Sequence, residues 1–278
     1  MPRRRERTKI VGLPRVTHAD DPALALYRGV SDPELARSHG VFVAEGRLVV
    51  GRVLANPRYE LRSLLLNPSA HRDLEPLLAR LDPSIPVFVI DTGDFQLITG
   101  IDIHRGCLAL VERPPLRTVD EVIAGARRVI VLDGVANPDN VGGVFRNAAA
   151  FAADAVLLSH DSCDPLYRKA IRTSMAAVLR VPFARCGEWP ADLERIRAAG
   201  FTLVALTPSE AAEPLETFVA RTGGLRLALA LGAEGAGLTP ALMAVADVAV
   251  RIPITAAVDS LNVAVAAGIA LYRLCMSR

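Results

Sequence analysis

Lysine is almost missing from this chain of 278 residues. Lys9 and Lys169 are the only two, so thirty of the thirty-two basic residues are arginines. A coding bias towards Ala and Arg produces such a composition; so does a partner rich in phosphate, because guanidinium groups make the better bidentate phosphate contacts. Cysteine is scarce and scattered. Cys107, Cys163, Cys186 and Cys275 form no CxxC pair, which argues against a zinc site and a disulfide framework and leaves structural thiols. No apolar run reaches the roughly 20 residues of a membrane span. The opening "MPRRRERTKI" also lacks the apolar core of a secretion signal, and the expected location is the cytoplasm, without a membrane partner. There is no GxxxxGK[ST] element, which excludes a P-loop, and no GxSxG. His18, His39, His71, His104 and His160 have no partner suggested by spacing, so a hydrolase triad has no support. The glycines of "LGAEGAGL" are spaced GxxGxG rather than GxGxxG, which disfavours a dinucleotide-binding turn and leaves ordinary turn chemistry as the plain alternative.

What is present is a chain with 51% hydrophobic residues and a net charge of +2, long enough to bury a full core and to hold two domains. The break falls at "VERPPLRTVDEV", where Pro114 and Pro115 separate two regions patterned as alternating strands and helices. We place the domains at 1–112 and 118–278. In the first, the apolar runs "VFVAE", "LRSLLLN", "VFVID" and "CLALVE" alternate with the helical patterns "GRLVVGRVLA" and "HRDLEPLLARL". That pattern predicts a small α/β domain. In the second, five strand-like runs ("RVIVLDGV", "DAVLLS", "FTLVALT", "LRLALALG" and "VAVRIPI") are separated by helical patterns. Continuous apolar strands of this kind predict a buried, largely parallel sheet with helices on both faces. Such sheets bind ligands beyond the carboxyl ends of their strands.

Three loops there stand out: "NPDNVGGVFRNAAAF", "LGAEGAGL", and "IPI" followed by "SLNVAVA". Each follows a strand and leads towards a helix, the arrangement that points backbone amides at an anion or a cofactor. Together, in this order, they resemble the three motifs of the SpoU/TrmH family of RNA ribose 2′-O-methyltransferases, within the SPOUT superfamily. The resemblance is strong over residues 125–278. It extends more weakly through "FQLITGIDIHRGCLALVERP" and the pattern before it, which look like the ribosomal-protein-like RNA-binding domain that often precedes this catalytic domain.

The resemblance implies S-adenosylmethionine as methyl donor and no metal. It implies a deep trefoil knot made by the last two loops, a topology no periodicity could reveal because ordinary connections do not thread one another. It places cofactor binding at Gly232, Ile252 and Leu261, largely through the backbone. Gly232, lacking a Cβ, is expected to let the main chain approach a flat ligand. It also implies catalytic roles for Arg146, Asn140, Glu234, Ser260 and Asn262. By its residue type alone Arg146 is equally an ordinary helix-surface arginine. A guanidinium does not deprotonate in a protein, so the role we assign it is to clamp a phosphate and stabilise a developing alkoxide. Asn140 and Ser260 also read as helix caps, and Glu234 as a solvated loop charge. The sequence departs from the family pattern at Ala233, Ala256 and Ala264. If Ala256 needs positive φ, alanine there costs roughly 1 kcal/mol.

The last helix, "SLNVAVAAGIALYRL", is apolar nearly all round and must be covered, by the core or by a second subunit. The resemblance implies a homodimer through this region. The expected function is methylation of a ribose 2′-hydroxyl in structured RNA, with ribosomal RNA favoured over transfer RNA because of the amino-terminal domain. A tRNA methyltransferase, or a non-catalytic RNA-binding or ribosome-assembly factor on the same fold, is the alternative. The arginine-rich tail "RRRER" is an RNA-contacting arm or a solvated end.

Overall fold

The runs "RVIVLD" and "RLALALG" form the two central strands of a seven-stranded sheet, buried on both faces as uninterrupted apolar sequence requires. The computed structural model describes residues 21–99 and 106–276. The arginine-rich tail and residues 100–105, within the segment read as RNA-binding, lie outside the described residues. The chain divides into two compact units, Met1–Pro114 and Pro115–Arg278.

The first unit carries β1 (Val41–Glu45), β2 (Leu61–Leu66), β3 (Val87–Val89) and β4 (Cys107–Glu112), with α1 (Asp32–His39), α2 (Arg47–Leu54), α3 (Pro68–Leu78) and α4 (Thr92–Thr99). Its sheet order is β1-β4-β2-β3. β4 runs antiparallel to β1 and β2, and β3 runs parallel to β2. Local signals set the helix ends. Ser31 caps α1 by accepting the Glu34 N–H, and Gly40 stops it at φ 64°. Val41, Val43, Leu108 and Leu110 face one core with Leu35 and Tyr27. The buried Tyr27 hydroxyl is satisfied by Ser63 at 2.8 Å.

The second unit carries β5 (Arg128–Asp133), β6 (Ala155–Leu158), β7 (Phe183–Arg185), β8 (Phe201–Leu206), β9 (Glu213–Pro214), β10 (Arg226–Gly232) and β11 (Val248–Arg251). Its helices are α5 (Val119–Ile123), α6 (Pro138–Ala150), α7 (Arg168–Thr173), α8 (Ala191–Ala198), α9 (Leu215–Val219), α10 (Pro240–Val245) and α11 (Val263–Met276). The order is β7-β6-β5-β10-β8-β11-β9, with every neighbouring pair parallel. Five strands were expected and seven are found. The additions, β7 and β9, are edge strands of 3 and 2 residues, too short to carry a periodic signal. Alternation in β10 sorts its side chains: Ala228 and Ala230 join Val129, Val131 and Leu203 beneath α5, α8 and α10. The opposite face is covered by α6 and α11.

Small residues bring the helices of that second face together. A Cβ on Gly142 of α6 would lie 2.6 Å from the Ala170 carbonyl oxygen of α7, and one on Gly143 would lie 2.7 Å from the Ala264 Cβ of α11. Asn147 of α6 donates to the Ala264 carbonyl at 2.6 Å, and Arg128 Nε donates to the Leu274 carbonyl near the other end of α11. Within the single chain α11 is covered on one side only. Ala267, Ala270 and Leu271 are buried, whereas Val265, Ile269 and Tyr272 are 52%, 38% and 54% exposed. No helix among the described residues is long and apolar enough to cross a membrane.

Candidate active site

The carboxyl ends of β8, β10 and β11 open into a cavity of about 460 Å3, within the size range of small-molecule sites. Its wall joins the ends of "LGAEGAGL" and "IPI…SLN" to the first turn of α11. Gly232, Glu234, Ile252, Ser260, Leu261 and Asn262 all line it. Sequence reasoning missed a third contributor, Leu206–Thr207–Pro208 after β8. The available signal was position alone, since this loop also leaves the carboxyl end of a parallel strand.

The loop after β10 folds back on itself. Ala233 and Gly237 exchange both backbone hydrogen bonds, at 3.0 and 2.9 Å, and Gly235 and Gly237 take φ of 82° and 72°. Those angles favour glycine. The structure gives a further reason for glycine at 232, beside the ligand approach expected of it. A Cβ there would sit 2.2 Å from the Gly237 carbonyl carbon and 2.4 Å from the Leu238 nitrogen. It permits a close approach of the chain's own returning loop. Asp133, the parallel partner of Gly232 on β5, holds the far end of this loop by accepting the Thr239 N–H at 2.6 Å. Asp133 is 1% exposed. Burial raises its pKa, the Thr239 amide and hydroxyl oppose that shift, and the neighbouring Asp161 adds to it.

On the other side of the cavity, Ile254 to Leu261 belong to no helix or strand and make only a turn at residues 256–257. Main-chain donors and acceptors outside any helix or strand, beside apolar side chains such as Ile252 and Leu261, form a set that a flat, polar-edged ligand can satisfy. Among the described residues no group of His, Cys, Asp or Glu is arranged to hold a metal ion.

Asn262 connects the three segments. Its Oδ1 accepts the Ala264 and Val265 N–H groups at 3.0 and 3.3 Å and so caps α11. That capping role was expected of Ser260, but α11 begins at Val263, leaving Ser260 too early in the chain to serve it. With the oxygen committed, Nδ2 must be the donor. It reaches Asn140 Oδ1 at 2.8 Å and Glu234 Oε1 at 2.9 Å. This fixes the orientation of the Asn140 amide as well. Asn140 is 4% exposed, and its Nδ2 has no hydrogen-bond partner among the described residues. Nor does Asn140 cap α6. Asn137 does so, accepting the Asp139 N–H at 2.9 Å, and Asn140 lies inside the first turn, facing α11.

Arg146 does not line the cavity. It is exposed on α6, six residues beyond Asn140, and no hydrogen bond or ion pair engages it among the described residues. At 100° per residue it falls between Gly142, which faces α7, and Gly143, which faces α11. Of the three departures from the family pattern, Ala256 carries no strain: the non-glycine residues with positive φ among those described are Ala152, Met175 and Ala176. Ala264 packs against Gly143, and Ala233 forms the closing pair of its loop.

The model of the SpoU rRNA Methylase family matches residues 127–272. An uncharacterised tRNA/rRNA methyltransferase of Mycobacterium bovis is 40% identical over 92% of this chain and 90% of that protein. The Bacillus subtilis 23S rRNA (guanosine(2553)-2′-O)-methyltransferase is 27% identical over 84% of this chain and 88% of its own length. The fold is shared with an rRNA methyltransferase from Sinorhizobium meliloti, at a TM-score of 0.80 and 24% identity over 94% of this chain and 97% of that one; its structure is also described with AdoMet bound.

Proposed function

This chain belongs to the SpoU rRNA Methylase family, and on that premise we propose that it transfers a methyl group from S-adenosylmethionine to a ribose 2′-hydroxyl in ribosomal RNA. The observation that carries the reading is the Asn262 side chain, which ties the cavity wall at Glu234 to Asn140 on the helix that bears Arg146. Cofactor pocket and candidate catalytic helix are thereby one unit.

S-adenosylmethionine, when bound, supplies an electrophilic methyl group on a sulfonium. Gly232, Ile252 and Leu261 hold it, with Thr207 added to that set. Arg146, its planar guanidinium unengaged, grips the phosphate beside the target nucleotide and stabilises negative charge as it develops on the ribose oxygen. It does not serve as the base. Asn140 positions Asn262, and through it Glu234, and Glu234 and Ser260 complete the polar rim. Holding the ribose hydroxyl in line for attack contributes on the order of 7 to 11 kcal/mol in favourable cases.

The loops after β10 and β11 form the trefoil knot in this reading. The doubling back of Gly232–Thr239 and the reach of Asn262 to α6 support it. Val265, Ile269 and Tyr272 form the homodimer contact, supported by their exposure as one apolar stripe. Residues 1–112 recruit the RNA, and the protein works in the cytoplasm. The test is methyl transfer from labelled S-adenosylmethionine to an unmodified 23S ribosomal RNA transcript, followed by digestion to nucleosides. A 2′-O-methylnucleoside is the expected product. A base-methylated nucleoside, or no incorporation, would overturn the assignment.

A further inference from the structure

Two consecutive non-glycine residues, Met175 and Ala176, hold left-handed backbone at φ 51° and 60° just after α7. Alanine and methionine resist that conformation, and such strain survives only where surrounding contacts enforce it. Here they do. Ser174 is 1% exposed, and its hydroxyl donates to the Ile171 carbonyl at 2.9 Å. The Ala176 N–H bonds the same carbonyl at 2.9 Å. Met175 is left 45% exposed.

The turn lies beside the candidate catalytic helix. Asp139 of α6 meets Lys169 at 2.8 Å and Thr173 at 2.9 Å, and Gly142 abuts Ala170 and Ser174. The single turn Ala177–Leu179 also packs on α6. Arg146 stands one turn beyond Gly142 on the helix that this turn packs against. Lys169 and Arg172 are both exposed on the adjoining side of α7. The bonded Lys169, then Thr173 and the nearby charge of Arg172, hold the Asp139 carboxyl below its ordinary pKa. Lys169 and Arg172 thus stand beside one carboxylate, and the exposed Arg146 lies further along the helix that bears it.

We propose that this face of α6 and α7 docks the RNA strand flanking the target nucleotide, with Lys169 and Arg172 on successive phosphates and the Met175 turn as the wall against which the strand lies. Charge complementarity selects a polyanion, and the place of Arg146 on the adjoining helix selects the strand that carries the reacting ribose. The inference rests on the reading of this chain as an RNA methyltransferase and adds to it a surface outside the cofactor cavity.

The experiment measures binding of an unmodified 23S ribosomal RNA transcript between about 50 and 200 mM salt, for the wild type, Lys169→Gln, Arg172→Gln and the double variant. Each lost phosphate contact should make the slope of log K against log salt shallower by roughly 0.7 to 0.9. Arg172→Lys should restore the wild-type slope, and S-adenosylmethionine affinity should be the same in all variants, which also reports their folding. Wild-type methyl transfer with unchanged slopes in the double variant overturns the docking surface alone. If the wild type neither methylates nor binds the transcript in a salt-dependent way, the functional reading falls and the docking surface with it.

Discussion

Replacing Asn262 by alanine removes four hydrogen bonds that join three segments, and the structure sets the size of the effect. Loss of the cap on α11 costs roughly 1 kcal/mol. The same change strips Asn140 Oδ1 of its partner while Nδ2 is already without one among the described residues, and an unsatisfied buried amide costs roughly 1 to 3 kcal/mol. The two effects share a residue and need not add, so the total is about 2 to 4 kcal/mol. For a unit of this size that corresponds to a fall in Tm of about 5 to 15 °C. Asn262→Asp separates the contributions. Its oxygen still caps the helix and complements the positive end of the helix dipole, and the Asn140 amide can turn to donate to it. The new carboxylate faces Glu234, a repulsion of about 1 kcal/mol for exposed charges near 4 Å. Thermal melts followed by circular dichroism should therefore rank wild type above Asn262→Asp above Asn262→Ala. Calorimetry should show weakened S-adenosylmethionine binding in both variants, because Glu234 and the start of α11 are walls of the cavity. An alanine variant that melts within about a degree of wild type would refute the reasoning, since the cap alone is worth more than that.

Arg146→Ala and Arg146→Lys should leave folding and cofactor affinity nearly unchanged while methyl transfer falls on the order of a hundredfold; near-normal turnover by the alanine variant in the labelled-methyl assay would remove Arg146 from the mechanism. Because burial raises the pKa of Asp133, its neutral form favours the folded state. That stabilisation is complete below the ordinary aspartate range and is lost as pH rises through the raised value. Asp133→Asn keeps an acceptor for Thr239 and pays no charge penalty, so its stability relative to wild type should climb over that window and then level off; urea midpoints with a pH-independent difference would contradict this. Gly142→Ala gains helix propensity of about 1 kcal/mol but drives a Cβ to 2.6 Å from a backbone oxygen. Overpacking costs of about 1 to 3 kcal/mol should win, giving a lower denaturation midpoint. If α11 forms the proposed dimer contact, Ile269→Arg should turn a dimer into a folded monomer by light scattering, since Ile269 is exposed in the single chain. Ala267 and Gly268 would be poor choices, because Ala267 is buried and Gly268 faces Asn147.

Strands buried on both faces were legible because they are written as continuous apolar runs, and β5, β6, β8, β10 and β11 were all found that way. The motif loops were legible because glycine, asparagine and proline mark the places where the backbone needs special angles or caps. Neither signal says which residue performs which task. Asn137, Asn140, Ser260 and Asn262 are all plausible caps by composition, and only the start of each helix in space assigns the caps to Asn137 and Asn262. The need for glycine at position 232 can be read from the chain, but one cause of it, the return of Gly237 and Leu238 over the end of β10, is a contact between segments. Asp133 and Thr207 passed unnoticed because one hydrogen bond and one cavity wall give them their importance, and both depend on strand order. Sequence alone determined the strand and helix alphabet, the break at Pro114–Pro115 and the family motifs, since these rest on local periodicity and backbone preference. Tertiary structure decided which side chains share the cavity, why Asn140 faces Asn262 and where Arg146 stands, because those relations come from packing among separate segments: the cavity wall gathers residues between Leu206 and Ala266, and Asn140 and Asn262 lie 122 positions apart.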